Sequence, residues 1–236
     1  MKRRRSRAGQ ALAAGAAGAA LLGLGYVGLT WARYGRNPMA GAIGDALIDA
    51  FLPDPDVRER HQTMVAAPAD LTWAAVQDLD FRDSALVRAI FRGRELLMRA
   101  RPKDGGKAGT FLQQVQALGW RRLAEEPGRK IVFGAVTRPW EANVVFRGLS
   151  PDEFLTFDEP DYVRILWALQ VEPAGERSVF STETRVATTD AEARRKFRRY
   201  WSLMSPGILM IRRESLRLVR REAERRAADQ TALTSM

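Results

Sequence analysis

The chain has no cysteine and a single histidine in 236 residues. Without cysteine it has no disulfide, no thiol nucleophile and no thiolate metal site. Any metal site would depend on carboxylates, and a Ser-His-Asp triad would have to use His61. His61 follows the charged run Arg58 to Arg60 at a predicted strand start, and nothing near it in sequence resembles a triad partner. We therefore predict a solvated strand residue, no catalytic residue and no metal or cofactor.

Acidic residues are missing from the first 36 positions, which carry seven basic side chains. The formal net charge is +10, and residues 190–228 hold a second basic excess of twelve basic against five acidic residues. The region between these patches is slightly acidic. A nucleic-acid-binding protein would instead show a basic groove with interleaved aromatic side chains. Two local patches therefore predict no nucleic-acid partner.

Charge is also absent from residues 10–32, a run about long enough to cross the roughly 30 Å hydrocarbon layer of a bilayer. Tyr26, Trp31 and Tyr34 cluster towards its distal end, as an interfacial aromatic belt would. Three interpretations are open: a retained anchor, a cleaved signal peptide and a soluble alanine-rich helix. A retained transmembrane helix is favoured because the run is long for a signal core and no clear small-x-small cleavage site follows it.

The charges that flank this run predict its orientation. Five basic residues precede it, whereas only Arg33 and Arg36 follow it closely. The positive-inside bias then places the N-terminus in the cytoplasm and the rest of the chain outside it. We therefore predict that residues 1–36 are a basic N-terminus and membrane anchor, and that the protein is a single-pass protein of the cell membrane.

Residues 37–56 are predicted to be an amphipathic connector. Apolar residues recur there every four positions, at Met39, Ile43, Leu47 and Phe51. The helix would either pack on the following domain or lie at the membrane surface. Its polar face is acidic, which favours packing, because membrane-surface helices usually have a basic polar face.

The globular domain is predicted to cover residues 57–227. Pro68 opens a first helix, with Asp70 in its first turn, and a second helix follows from Ser84 to about Ala100. Segments rich in β-branched and aromatic residues then occur at 130–137, 162–171 and 178–188. Their short connections predict an antiparallel sheet.

A long amphipathic helix closes the chain after a predicted cap at Asp190. Its apolar stripe consists of Phe197, Trp201, Met204, Ile208 and Ile211. Proline removes a backbone donor and crowds the preceding turn, so a kink or a break is expected at Pro206. Residues 228–236 have no pattern and are predicted to be a disordered tail.

This order of elements resembles the START-like helix-grip superfamily, also called SRPBCC. The resemblance covers roughly Val57 to Arg226, and FSTETRVATTD leading into ARRKFRRYWSLMSPGILMIRRE looks much like bacterial members of unassigned function. It implies an α+β fold in which a curved antiparallel sheet wraps around the C-terminal helix, with a largely apolar cavity between them. No catalytic motif is shared across the superfamily, so the resemblance transfers no catalytic residue. The N-terminal anchor lies outside the family pattern.

Aromatic and charged residues on the predicted strands and final helix are candidates to line that cavity. They are Trp120, Trp140, Glu141, Trp167, Glu183, Tyr200 and Trp201. The tryptophans fit an ordinary core equally well. Glu183 would either point inward and pair with Arg185 or Arg164, or belong to a solvent-facing charge ladder.

These features predict a membrane-anchored, non-enzymatic binding module for an apolar ligand such as a lipid or an isoprenoid. One alternative is an enzyme of the cyclase or dehydratase type that uses a carboxylate in the cavity. Another is a scaffold or interaction protein whose own side chains fill the interior. The basic residues of the final helix would be either a solvated face or a contact for anionic lipid headgroups.

Overall fold

The computed structural model describes residues 25–32, 34, 45–79, 84, 88–89, 92–93 and 111–234. Residues 25–32 are helical. The helices that follow are α1 (Ala46–Asp49), α2 (Ala69–Gln77), α3 (Phe111–Ala117), α4 (Pro151–Thr156) and α5 (Ala191–Thr234). The strands are β1 (Val57–Val65), β2 (Arg121–Glu126), β3 (Lys130–Thr137), β4 (Val163–Ala174) and β5 (Arg177–Thr188).

The strands form one sheet in the order β1-β5-β4-β3-β2, and every neighbouring pair is antiparallel. Tight hairpins join β2 to β3 and β4 to β5. Gly128 and Gly175 lie in these turns with φ values of 72° and 67°, where a residue with a β-carbon would be strained. The predicted α+β class, the antiparallel sheet and the long C-terminal helix are confirmed.

Side chains alternate between two covered faces of the sheet. On the helix face, α5 and α2 pack over one apolar cluster that includes Phe133 and Phe180, and the first part of α5 packs over another that includes Val186 and Phe197. On the opposite connector face, α1 and α4 lie over Val132, Leu166 and Phe154. Since both faces are covered, every residue of β3 is buried.

The connector packs on the sheet where the structure describes it. Ile48 and Leu52 are each 1% exposed and belong to the connector-face cluster. Lys130 pairs with Asp45, the N-cap of α1, at 2.7 Å. Residues 45–56 are therefore part of the domain core, with the buried stripe one position later than the Leu47 and Phe51 pattern predicted.

Helix α5 runs for 44 residues, and Pro206 lies inside it. Of the predicted kink or break at Pro206, the break is wrong, because α5 is continuous through the proline and packs on the sheet on both sides of it, through Trp201 and Leu216. The helix also reaches Thr234, beyond the predicted boundary at residue 227. An ion pair of 2.8 Å between Arg225 and Asp229 supports this last part of α5.

Several sequence predictions fall outside the described residues. Most of the predicted N-terminus and anchor does, since only residues 25–32 and 34 of residues 1–36 are described. No helix in the described part of the chain is both long and apolar enough to cross a membrane. Of the second predicted helix, residues 88–89 and 92–93 are helical, and the amide of Arg88 bonds to the carbonyl of Ser84. The rest of that helix lies outside the described residues.

Candidate functional site

Polar side chains separate the two apolar clusters on the helix face. We call this group the polar seam and define it as Glu59, His61, Thr182, Thr184 and Arg212. Four of these residues come from paired positions of β1 and β5, Glu59 opposite Thr184 and His61 opposite Thr182. Arg212 comes from α5, which covers this face of the sheet. Period-2 alternation along the two strands places all four sheet residues on the face that α5 covers.

Thr182 joins the strand, the helix and an aromatic side chain. Its hydroxyl oxygen accepts a hydrogen bond of 2.7 Å from Nε1 of Trp167 and a longer one of 3.4 Å from Nη1 of Arg212. Thr182 is 1% exposed, so this contact is shielded from solvent. Trp167 therefore connects the seam to the larger apolar cluster.

Three buried side-chain atoms of the polar seam have no hydrogen-bond partner among the described residues. They are Nε of Arg212, Oγ1 of Thr184 and Nε2 of His61. Glu59 Oε2 lies 3.6 Å from His61 Nε2, which is too long for a hydrogen bond. Each buried unsatisfied polar group costs about 1–3 kcal/mol. Such a group of atoms is unusual in a helix–sheet contact that serves packing alone.

Arg212 is the residue of the polar seam whose charged form is disfavoured by burial. Burial lowers the pKa of Arg212 to about 10, and the nearby Glu59 carboxylate opposes this shift. Arg212 is still cationic at neutral pH, so the seam offers a charged N–H donor, unsatisfied among the described residues, next to apolar surface and near the Glu59 carboxylate. An anionic or strongly accepting group is the natural partner of this arrangement.

The described structure separates the predicted lining residues into four locations. Trp120 and Trp167 belong to the larger cluster, and their ring centroids are 6.2 Å apart. Trp140, Tyr200 and Trp201 pack in the cluster under the first part of α5. Both groups lie on the helix face, on either side of the polar seam.

Glu141 and Glu183 lie elsewhere. Glu141 is half-exposed and pairs with Arg138 at 3.1 Å. Glu183 projects from the connector face, away from α5, and is 3% exposed. Its Oε1 atom lies 2.8 Å from Nε of Arg58 and 2.7 Å from Nε of Arg185. It therefore neither points towards α5 nor faces solvent, because the connector covers it.

Sequence reasoning missed most of the polar seam. The alternation of Phe180, Thr182, Thr184 and Val186 was visible, but it does not show which face the final helix covers. His61 was predicted to be solvated, whereas its side chain is 22% exposed in the middle of β1. Arg212 lies in a basic stretch, IRRES, where nothing local distinguishes it from the exposed Arg213.

Metal chemistry has no support in the described part of the chain. No group of three or more histidine, aspartate or glutamate side chains there could hold a metal ion. The carboxylates of Asp49 and Glu183 instead form ion pairs with Arg185.

No protein-family model matches the chain, and no curated protein matches it. Among solved structures, CalU16 from Micromonospora echinospora is 17% identical, with 72% of this chain and 86% of that chain covered and a TM-score of 0.25. The Zhui aromatase/cyclase from Streptomyces sp. R1128 is also 17% identical, covering 72% of this chain and 94% of that one, with a TM-score of 0.22. The hypothetical protein jhp0584 from Helicobacter pylori is 9% identical over 81% of this chain and 98% of that one, with a TM-score of 0.34. At these identities and TM-scores the likeness does not extend to a site or a function.

Proposed function

We propose that this protein is a binding module for a small apolar molecule with one polar end, held between the sheet and α5. The observation that supports it is the polar seam, which places unsatisfied donors between two apolar clusters. A ligand that accepts hydrogen bonds from Arg212 and Thr184 would remove the cost of their burial. Its apolar body would lie against the aromatic side chains beside the seam, such as Trp167.

Tethering to a membrane is the second part of the proposal. The uncharged run at residues 10–32 would hold the domain at the bilayer surface, where amphiphilic ligands such as lipids and isoprenoids are found. The basic residues before the run favour an N-terminus in the cytoplasm and a domain outside it.

The cyclase or dehydratase alternative depended on a carboxylate inside the binding site. Glu183 was its best candidate, and Glu183 lies on the connector face in a network of arginines. That placement favours binding over catalysis. A scaffold with a filled interior would explain the apolar clusters, but it gives no role to the unsatisfied atoms of the polar seam.

Native mass spectrometry of the full-length protein after gentle extraction tests the proposal. We expect a hydrophobic molecule to co-purify with the protein. An extract of that molecule should displace a fluorescent fatty-acid probe from the protein. Arg212→Met should weaken probe binding at least about tenfold, because a buried charge-assisted hydrogen bond contributes roughly 1.5–3 kcal/mol. Arg213→Met is the matched control, since Arg213 is the exposed neighbour on the same helix. A clean apo mass together with no probe binding would contradict the proposal.

A further inference from the structure

A concave site lies at the start of α5, separate from the polar seam. It is a cavity of about 330 Å³, and we call it the arginine groove. Its lining residues are Trp31, Tyr34, Ala191, Arg194, Arg195 and Arg198. The volume is at the lower end of the range for small-molecule sites, about 300–1,000 Å³, and suits a compact polar group better than a whole lipid.

The segment that precedes the domain forms one wall of the groove. Residues 25–32 run antiparallel to α5, since Tyr26 Oη lies 3.3 Å from Ser205 Oγ while Trp31 lies beside Arg198. Arg198 donates to the carbonyl of Trp31 at 2.7 Å, and its guanidinium lies 4.2 Å from the centroid of the Trp31 ring. A hydrogen bond and a cation–π contact therefore fix the end of the predicted anchor to α5.

The charges in the groove favour an anion. Three guanidinium groups face two carboxylates, because Arg194 pairs with Asp56 and Arg195 pairs with Glu192. Arg194 and Arg195 are each 62% exposed, so most of their donors remain open to solvent. One positive charge therefore remains uncompensated in this set.

Tyr34 forms part of the wall of the groove. Its hydroxyl is buried and has no hydrogen-bond partner among the described residues. Burial, together with the nearby Asp56, raises the pKa of Tyr34, so the hydroxyl remains protonated at neutral pH. Its ring is held by an edge contact with Phe197, with centroids 6.1 Å apart. The wall at Tyr34 is therefore uncharged, and the exposed donors of the groove belong to the arginines.

Apolar side chains next to the groove indicate that the anion belongs to an amphiphile. Leu29 is 48% exposed and Trp31 is 38% exposed. Both residues belong to the uncharged run at residues 10–32. An apolar edge beside basic side chains is the pattern that phospholipid surfaces recognise, with aromatic rings at headgroup level.

We propose that the arginine groove binds the phosphate headgroup of an anionic phospholipid at the bilayer surface. The lipid phosphate accepts hydrogen bonds from the guanidinium groups, while its acyl chains continue past Leu29 and Trp31. The site orients the domain, because it fixes the start of α5 at headgroup level.

Native mass spectrometry of the full-length protein in neutral detergent tests this proposal, with titrations of phosphatidylglycerol, phosphatidylcholine and inorganic phosphate. We expect tighter binding of phosphatidylglycerol than of phosphatidylcholine, and little competition by phosphate. Arg195→Gln and Arg198→Gln should each weaken phosphatidylglycerol binding about fivefold or more, as expected for a basic residue at an anionic surface. Arg195 pairs only with Glu192 in the described ion pairs, so its replacement leaves the contacts of residues 25–32 intact.

Arg199→Gln is the matched control, because Arg199 is an exposed arginine on the same helix that does not line the groove. It should change binding less than twofold. An equal loss in Arg199→Gln would mean diffuse attraction to the basic helix and would overturn the site. Equal binding of the two lipids would overturn the anion requirement, and full competition by inorganic phosphate would overturn the assignment to a lipid.

Discussion

Glu183 is a nearly buried carboxylate held by several arginines. Arg58 and Arg185 each contact its Oε1 atom, and Arg60 Nη1 lies 3.5 Å from Oε2. Arg185 is fully buried and also donates to the carbonyl of Leu52 at 2.7 Å and pairs with Asp49. These charge-assisted hydrogen bonds therefore connect the edge strand β1 and its neighbour β5 to the connector.

Replacing Glu183 with glutamine leaves these arginines without their shared counter-ion. We expect the free energy of unfolding to fall by about 3 kcal/mol, because an uncompensated charge stays buried. Thermal unfolding of the full-length protein in detergent, followed by circular dichroism, measures the change. Glu125→Gln is the control, since its pair with Arg122 is half-exposed and should contribute under about 1 kcal/mol. Equal unfolding midpoints for wild type and Glu183→Gln would show that the network does not stabilise the fold.

Arg212 should show the opposite behaviour, since the proposed ligand would supply the partner of its unsatisfied donor. Arg212→Met keeps a long side chain and removes the unsatisfied donor, so we expect the ligand-free protein to gain about 1–2 kcal/mol of unfolding free energy. Binding of the fatty-acid probe should fall in the same variant. Chemical denaturation after removal of bound lipid measures the stability. A destabilised variant would assign Arg212 a structural role instead.

At the scale of elements, the sequence predicted what depends on local chemistry. Asp190 caps α5 as expected and accepts from the amide of Ala193 at 2.7 Å. Ser150 and Glu153 form a capping box that opens α4, a helix that the sequence pattern did not predict. That helix is six residues long, so its apolar periodicity is too short to detect.

The face that each charged residue occupies depends on long-range packing. Alternation correctly grouped Glu183 with Arg185 on one side of β5. That side is buried because residues 45–56 return to cover it, which no local pattern in β5 records. The same limit applies to the polar seam, where Arg212 meets Thr182 from a position 30 residues away in the chain. The fold class was therefore predictable, whereas the buried polar contacts were not.

Replacing Pro206 tests whether α5 is continuous or restarts at this residue. Inside a helix, proline removes one hydrogen bond and crowds the preceding turn, at a cost of up to about 3 kcal/mol. We therefore expect Pro206→Ala to raise the unfolding midpoint, as measured by circular dichroism. Pro151→Ala is the control, because Pro151 lies at the start of α4, where proline is well tolerated. If α5 instead restarted at Pro206, the replacement would be neutral or destabilising.

At the scale of the whole molecule, the connector links the predicted anchor to the domain core. The domain cannot be cut at its first strand without loss, because Ile48 and Leu52 fill the connector-face cluster. Asp56 also accepts hydrogen bonds from the amide and hydroxyl of Thr188 at 2.8 and 2.6 Å. A truncated chain must therefore keep residues 45–56 to retain the connector-face cluster.

Two truncated chains test this division, one beginning at residue 45 and the other at residue 57. The longer chain should unfold cooperatively and remain in the soluble fraction, whereas the full-length protein should sediment with membranes. The shorter chain should lose several kcal/mol, since burial of Ile48 and Leu52 alone contributes about 1.5–3 kcal/mol for each side chain. Cell fractionation and denaturant titration measure the two effects independently. A soluble full-length protein would refute the anchor, and equal stability of the two truncated chains would refute the structural role of the connector.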